Sequence, residues 1–302
     1  MIGAAAAVAN AIDDVAEAIS GGAVGWLLPA LCIHITAQVC RSFGWYHALD
    51  ASWPGVSRRR AAAWYVAGAG LSGLLSGRGG DAVRLALARR ELPDASWPAL
   101  VGTAVVEVTA QGVASLAIAL VAIGIGVHAL PVPALPLVAA GLAAVLVIVL
   151  VGARARSVRR LFGEFVRGFA AVRHPRRYAS RILGWELAAK LLRLGAVACF
   201  LQAFALPVTL PVIVTVALLY GSGNVLPIPG AGTAASAGAL LVAVPIAAGH
   251  PVDSGAVEAL VIAQPVLLSV TGIAASFGLL AGLLGVRSPA ALLEARRALA
   301  PS

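Results

Sequence analysis

Apolar runs long enough to cross a bilayer recur along this chain, at residues 98–127, 135–151 and 257–284. About 20 apolar residues in a helix cross the roughly 30 Å of hydrocarbon in a membrane. One such run alone would fit a signal peptide; runs that recur to the C-terminal end are spans. No cleavable signal is expected, because residues 4–20 carry Asp13, Asp14 and Glu17 and lack a basic start.

Composition agrees with this reading. Charged residues make up 12% of the 302 and hydrophobic ones 60%, whereas a soluble domain carries about 25% charge. The expected fold class is therefore all-α, a polytopic transmembrane helical bundle, and a soluble enzyme is excluded. The net charge of +9 sits in arginine clusters between apolar runs. That placement suits anionic lipid headgroups as partners and not nucleic acid. Cys32, Cys40 and Cys199 stand singly in apolar stretches without metal or redox spacing, and the five histidines are scattered. No cofactor and no metal are expected.

Arginine asymmetry orients the spans. The richest segment, 154–181, contains Arg156, Arg159, Arg160, Arg167, Arg173, Arg176 and Arg177 against Glu164, and is assigned to the cytoplasm. Its apolar positions Leu161, Phe162, Phe165 and Phe169 suit a helix lying at the interface; a solvated basic linker is the plain alternative. From that anchor, 135–151 leads out to an uncharged turn at 128–133, and 98–127 returns inside. Before them lie two short segments, 61–76 and 82–92, flanked by Arg58-Arg59-Arg60 and Arg89-Arg90. Two basic flanks imply a hairpin that enters from the cytoplasm and goes back to it. The first span, 22–41, then runs from outside to inside. Forward of the linker, 182–204 exits, and 212–226 and 231–248 form a second broken pair. The flank 250–258 is acidic, and 257–284 returns to a basic tail. The chain thus divides as one membrane domain, 1–302: a first repeat at 22–152, a basic cytoplasmic linker at 153–181, an inverted second repeat at 182–285, and a cytoplasmic tail at 286–302. Paired interrupted segments in two inverted halves point to a transporter's substrate site, with re-entrant or fully crossing hairpins both compatible with the segment lengths.

The first tip reads Ser76-Gly77-Arg78-Gly79-Gly80-Asp81-Ala82-Val83-Arg84. Its glycines permit close backbone approach, and the free N–H groups of the helix that it opens favour an anion. Arg78 and Arg84 flank that position, and an arginine fork suits phosphate. Asp81 would cap the helix or pair with an arginine. A lipid-phosphate site is one reading; a capped turn with structural ion pairs is the other. The second tip, from Asn224 through Pro227, Pro229 and Gly230 to Gly232, is uncharged. Its prolines break the helix firmly, which suits either a gate or a kink. Glu107, with Gln111 one turn on, lies inside an apolar span, where a carboxylate costs roughly 2.5–3.5 kcal/mol. It should face the protein and pair with an arginine or carry a proton. Glu186, Lys190 and Arg193 share one helix face, read first as a self-neutralised interfacial face. Gly68, Gly70 and Gly73 match G-x-G-x-x-G, but that fingerprint needs a strand before it; in membrane segments small residues serve helix packing.

In order and spacing these features resemble the flippase-like membrane proteins related to the transmembrane region of lysylphosphatidylglycerol synthase. Members carry a P-G-R-x-G-E-x-x-R stretch, matched by residues 76–84 with Ser for Pro and Asp for Glu. A span with a Glu follows about twenty-five residues later, here Glu107 without the family's following Arg. The second-half signature, L-P-x-x-P-G-G-x-G-x-x-E, is matched by Leu226-Pro227-Ile228-Pro229-Gly230-Ala231-Gly232, one residue shorter and without the terminal Glu. Arg41-Ser42-Phe43-Gly44-Trp45 is similar to the R-x-x-R-W end of an early span. The resemblance covers most of 22–284. It implies a protein of the cell membrane that moves an anionic lipid or polyprenyl-phosphate-linked intermediate between leaflets. Under it, Arg78, Gly79, Gly80, Asp81, Arg84 and Glu107 would hold the lipid phosphate, and Asn224, Pro227, Pro229, Gly230 and Gly232 would form the gate. The synthase activity is not implied, so no enzyme is expected. The alternatives are a membrane partner of a separate transferase and a membrane-embedded lipid-phosphate enzyme.

Overall fold

The computed structural model describes residues 16, 24–72, 79–92, 94–124, 156–222 and 231–284. Nearly all of them are helical and none is in a strand. The long helices are α1 (Val24–Ser52), α4 (Trp97–Gly124), α6 (Gly184–Ala203) and α9 (Ser254–Leu284). Shorter ones are α2 (Arg58–Leu71), α3 (Gly79–Glu91), α5 (Arg156–Arg167), α7 (Leu210–Ser222) and α8 (Ala231–Ala248). The proposed span 135–151 lies outside the described residues, as do Arg78, Asn224, Pro227, Pro229, Gly230 and the tail.

By length and composition α1, α4 and most of α9 can each cross a membrane. Their outer faces stay apolar: Leu120 and Val121 of α4 are 60% and 65% exposed, and Leu28 of α1 and Val270 of α9 are similarly open, as are Val242 and Ile246 of the shorter α8. Water would penalise such a surface at about 25 cal/mol per Å², whereas lipid tails match it. The chain is therefore a helical membrane protein. Helix α6 is long enough at 20 residues, but Glu186, Lys190 and Arg193 interrupt its apolarity. It spans on length only if those charges turn toward protein or water.

The first span differs from its sequence reading. Helix α1 does not stop at Arg41 but continues eleven residues, through Ser52. At 1.5 Å per residue its 29 residues reach about 43 Å. Arg41 is thus an interior residue of α1.

Helices α2 and α3 form an antiparallel hairpin. Arg60 at its open end pairs with Glu91 at 2.8 Å, and near the tip Gly68 packs against Gly80 so closely that a Cβ on either would strike the other's carbonyl oxygen. Each arm is 13 or 14 residues, about 20 Å. The open end packs on the C-terminal part of α1 and the start of α4 through Trp45, Leu49, Trp64, Leu85 and Leu100. Helices α7 and α8 gather toward the other end of α1, where Leu27 and Ala30 share one apolar cluster with Phe200, Val212, Leu240, Val244 and Leu260. Helix α6 lies along α1, and α9 runs from the second hairpin to the first.

The crossing of α2 and α9 uses small residues. Gly70 faces Gly272 and Ser276 with no room for a Cβ, and the Ser276 hydroxyl donates to the Val66 carbonyl oxygen at 3.1 Å. Gly68 and Gly70, which mimic a nucleotide fingerprint in sequence, are helix-packing residues. Helix α5, the basic amphipathic segment, folds back on the start of α4, where Gly102 meets Gly168. Phe162, Phe165 and Phe169 form a ring ladder along it, and Ser52 donates to the Arg167 carbonyl oxygen at 3.0 Å.

Candidate functional site: a buried charge cluster where five helices meet

Glu107 sits on α4, a helix whose sequence offers it no local cation. Its side chain is fully buried, so its charge must be matched by other helices. Three donors do so. Arg84 of α3 donates through Nη1 to Oε2 at 2.6 Å. Tyr65 of α2 donates its hydroxyl to Oε1 at 2.8 Å, and Gln111, one turn along α4, donates Nε2 to the same oxygen at 2.6 Å. The carboxylate is thereby saturated on both oxygens.

Arg84 is as deeply buried as its partner, at 3% exposure. Its Nη2 lies 3.0 Å from Asp81, one turn back on α3. Asp81 falls within the first turn of α3, not before it, so it serves as the pairing carboxylate of the two roles open to it. The guanidinium also lies over the rings of Trp45 at 5.0 Å and Tyr65 at 4.8 Å, a geometry in which ring faces attract a cation. Trp45 is itself fixed by a hydrogen bond from its indole N–H to Thr103 Oγ1 at 3.3 Å.

Arg41 of α1 is the member that sequence reasoning placed elsewhere. It lies between two carboxylates, 3.7 Å from Glu107 Oε1 and 3.7 Å from Glu186 Oε2. Its side chain is 27% exposed, and its Nε has no hydrogen-bond partner. Glu186 is fully buried, and neither of its oxygens accepts a hydrogen bond. Gly44 makes this approach feasible, since a Cβ there would lie 3.3 Å from Glu186 Oε1. The ion-pair partner of Glu186 is Arg41, on another helix, while Lys190, one turn along α6, attracts it from beyond ion-pair distance. Lys190 and Arg193 make no ion pair among the described residues.

The cluster thus has a tight half and a loose half. Arg84, Glu107, Tyr65 and Gln111 are locked by short bonds. Arg41 and Glu186 are held by distance-limited attraction with polar atoms to spare. Arg41 keeps an Nε free of hydrogen bonds and can meet an anion without leaving its two carboxylates, whereas reaching Arg84 means displacing a carboxylate. Of the phosphate-site residues read from sequence, Asp81, Arg84 and Glu107 come together here; Gly79 and Gly80 form the opening turn of α3, where Gly80 packs against Gly68. Arg78 lies outside the described residues. Of the second-tip set, Gly232 is in the first turn of α8, and the others are outside the described residues. Among the described residues no three His, Cys, Asp or Glu side chains gather as a metal-holding group.

Arg41 carried one usable signal, its place before an aromatic, charge-poor stretch that can continue a helix. Neither a curated protein nor a solved structure matches the chain. A family model does, over residues 2–284, and on that match the chain belongs to the family of the lysylphosphatidylglycerol synthase transmembrane region.

Proposed function

We propose that this protein carries an anionic lipid, or a polyprenyl-phosphate-linked intermediate, between the leaflets of the cell membrane, and that it moves its substrate without changing it covalently. The observation that carries this reading is the charge cluster itself. Arg41 and Glu107 lie inside helices long and apolar enough to cross a membrane, with Arg84 and Glu186 packed onto them, and ionisable groups in such helices are costly and line substrate or ion paths. Two short helical hairpins packed at opposite ends of α1 support a pair of inverted repeats with re-entrant hairpins, 22–152 and 182–285. In that arrangement the arginine-rich linker and the tail face the cytoplasm, following the arginine bias.

The lipid phosphate enters beside the first tip, where Arg78, Arg84 and the turn Gly79–Asp81 receive it. Arg41 meets it through the donors it has to spare while still facing its two carboxylates, and Glu107 holds Arg84 in place between cycles. The second tip, around Pro227–Gly232, closes the opposite side. Fluorescent-lipid scrambling in proteoliposomes tests the reading. Arg78→Ala combined with Arg41→Gln leaves the Arg84–Glu107 pair intact and should slow transfer of an anionic lipid at least about tenfold, two lost charge-assisted contacts being worth that much or more. Unchanged scrambling would remove the proposed site.

A further inference from the structure

We infer that Glu186 binds a proton, and that the anion this protein carries crosses together with that proton. The proton sits in the loose half of the charge cluster, at the end of a polar row along α1. The proton site stands on geometry; the joint passage rests on the flipping reading proposed above.

Glu186 and Glu107 are equally buried, yet they are served differently. Glu107 accepts three hydrogen bonds, whereas neither oxygen of Glu186 accepts one. A buried carboxylate without donors keeps most of its desolvation cost, and taking up a proton relieves it. The neutral acid needs one acceptor for its O–H instead of donors to both oxygens. The Ile182 carbonyl oxygen, one turn back on the chain, borders the same face of Gly44 as Glu186 Oε1 and can take that O–H.

The surroundings of Glu186 pull in opposite directions. Arg41 of α1 stands 3.7 Å away but is shared with Glu107 of α4. Lys190, one turn along α6, and Arg84 of α3 attract the carboxylate from farther off, while Glu107 repels it. Tyr65 of α2 and Tyr178, just before α6, are neutral hydroxyls beside it. Arg193, two turns on, acts on Arg41. Helix α7 brings no charged residue, and α9 only Glu258 in its second turn. An anion that meets Arg41 weakens the hold on the Glu186 charge and adds repulsion, which favours the neutral acid. A proton on Glu186, in turn, raises the charge of the cluster by one and leaves Arg41 one carboxylate fewer to serve, which favours the anion. Such a linkage is reciprocal.

A route for the proton adjoins the site. Gln38 and His34 continue from Arg41 at helical spacing along α1, their Nε2 atoms 3.3 Å apart, and both line a crevice between α1, α2 and α9. The Gln38 Oε1 atom is buried there without a hydrogen-bond partner. Rows of such side chains inside membrane helices serve as proton relays.

The test has two arms on the purified full chain. The first is infrared difference spectroscopy in a neutral detergent at about pH 6.5, well above the range near pH 4 in which surface carboxylates ionise. Wild type should show the carbonyl stretch of a protonated carboxylic acid, stronger once phosphatidylglycerol is added. Glu186→Gln, which resembles the protonated acid in shape and charge, should lack the band; Glu186→Asp, which keeps a carboxyl group, should retain it. The second arm follows a trace of fluorescent phosphatidylglycerol in proteoliposomes under an imposed pH gradient, against protein-free vesicles. One proton carried per anion should enrich the label about tenfold per pH unit in the leaflet facing the alkaline side. Glu186→Gln should lose that enrichment, and Glu186→Asp should recover most of it. Absence of the band in wild type, its persistence in Glu186→Gln, or an even distribution of label that still crosses under the gradient overturns the proposal. If no label crosses in any sample, the flipping reading and the joint passage fall together, and the infrared band alone decides the proton site.

Discussion

A fully buried carboxylate is stable only while its donors stay in place, and Glu107 has three on three helices. Glu107→Gln keeps the shape but leaves Arg84 charged, buried and facing an amide. Breaking one partner of a buried pair costs about 3–5 kcal/mol, whereas replacing both can be neutral. Unfolding in mixed micelles should therefore rank Glu107→Gln well below wild type, with Glu107→Gln plus Arg84→Met recovering most of the loss. Equal stability of the single variant and wild type would mean that the pair is not buried as described. Tyr65→Phe removes one donor to a charged acceptor and should cost about 1.5–3 kcal/mol in the same assay. The inward turn of Glu107 was legible from sequence, because an apolar span leaves a carboxylate no other direction. That it would pair with an arginine was legible as one of two roles, the other being to carry a proton, but the sequence did not choose between Arg78 and Arg84. The places of Arg41 and Glu186 were not legible. Arg41 ends an apolar run, and the residues after it (Trp45, Tyr46, His47, Asp50) hide a helix that continues because its buried face packs on α2 and α4. Glu186 had local cations at helical spacing, so no local pattern could show that its partner lies on α1.

Among the elements, the contact of α2 with α9 joins the first hairpin to the last helix of the second half. In lipid, helices gain little from burying apolar surface against each other, so close backbone approach and interhelical hydrogen bonds decide which pairs form. Gly70, Gly272 and Ser276 supply both. Gly70→Leu has no space to enter and should force α2 away from α9, costing at least about 1–3 kcal/mol, the usual range for overpacking. Ser276→Ala removes one hydrogen bond and should cost less, about 0.6 kcal/mol in a membrane setting. Thermal unfolding of the detergent-solubilised protein should show that order; the reverse order would place the helix contact elsewhere. Sequence pattern found α8 at Ala231–Ala248 and most helix limits to within a few residues, because proline, glycine and arginine punctuate them. It could not find which helices touch. The α2–α9 and α1–α6 contacts join residues that are far apart in the chain, and nothing in a run of alanines and valines names its neighbour.

At the level of the whole molecule, the ends of the helices sort into two groups. Arg58 lies over Tyr46, Arg89 over Trp97 and Arg167 over Trp53, so the ends of α1, α3 and α5 and the starts of α2 and α4 share one basic, aromatic rim. Arginine and tryptophan both favour the membrane–water boundary. At the other end of α1 lie the end of α8 and the start of α9, where the turn 249–253 carries His250 and Asp253 and no arginine. The positive-inside bias therefore predicts that the basic rim faces the cytoplasm and the turn faces out. Single cysteines at Ser57 and Ser254, each in a background with Cys32, Cys40 and Cys199 replaced by Ala, test this in intact cells. A membrane-impermeant maleimide added outside should label the Ser254→Cys protein, and should label the Ser57→Cys protein only after the cells are opened. Labelling of both from outside would break the inverted arrangement, since the two hairpins would then open on the same side. The opposite pattern, Ser57→Cys alone labelled in intact cells, would keep two inverted halves but reverse the molecule in the membrane. The tip carrying Arg84 would then point inward, so the side from which a lipid phosphate enters would change with it.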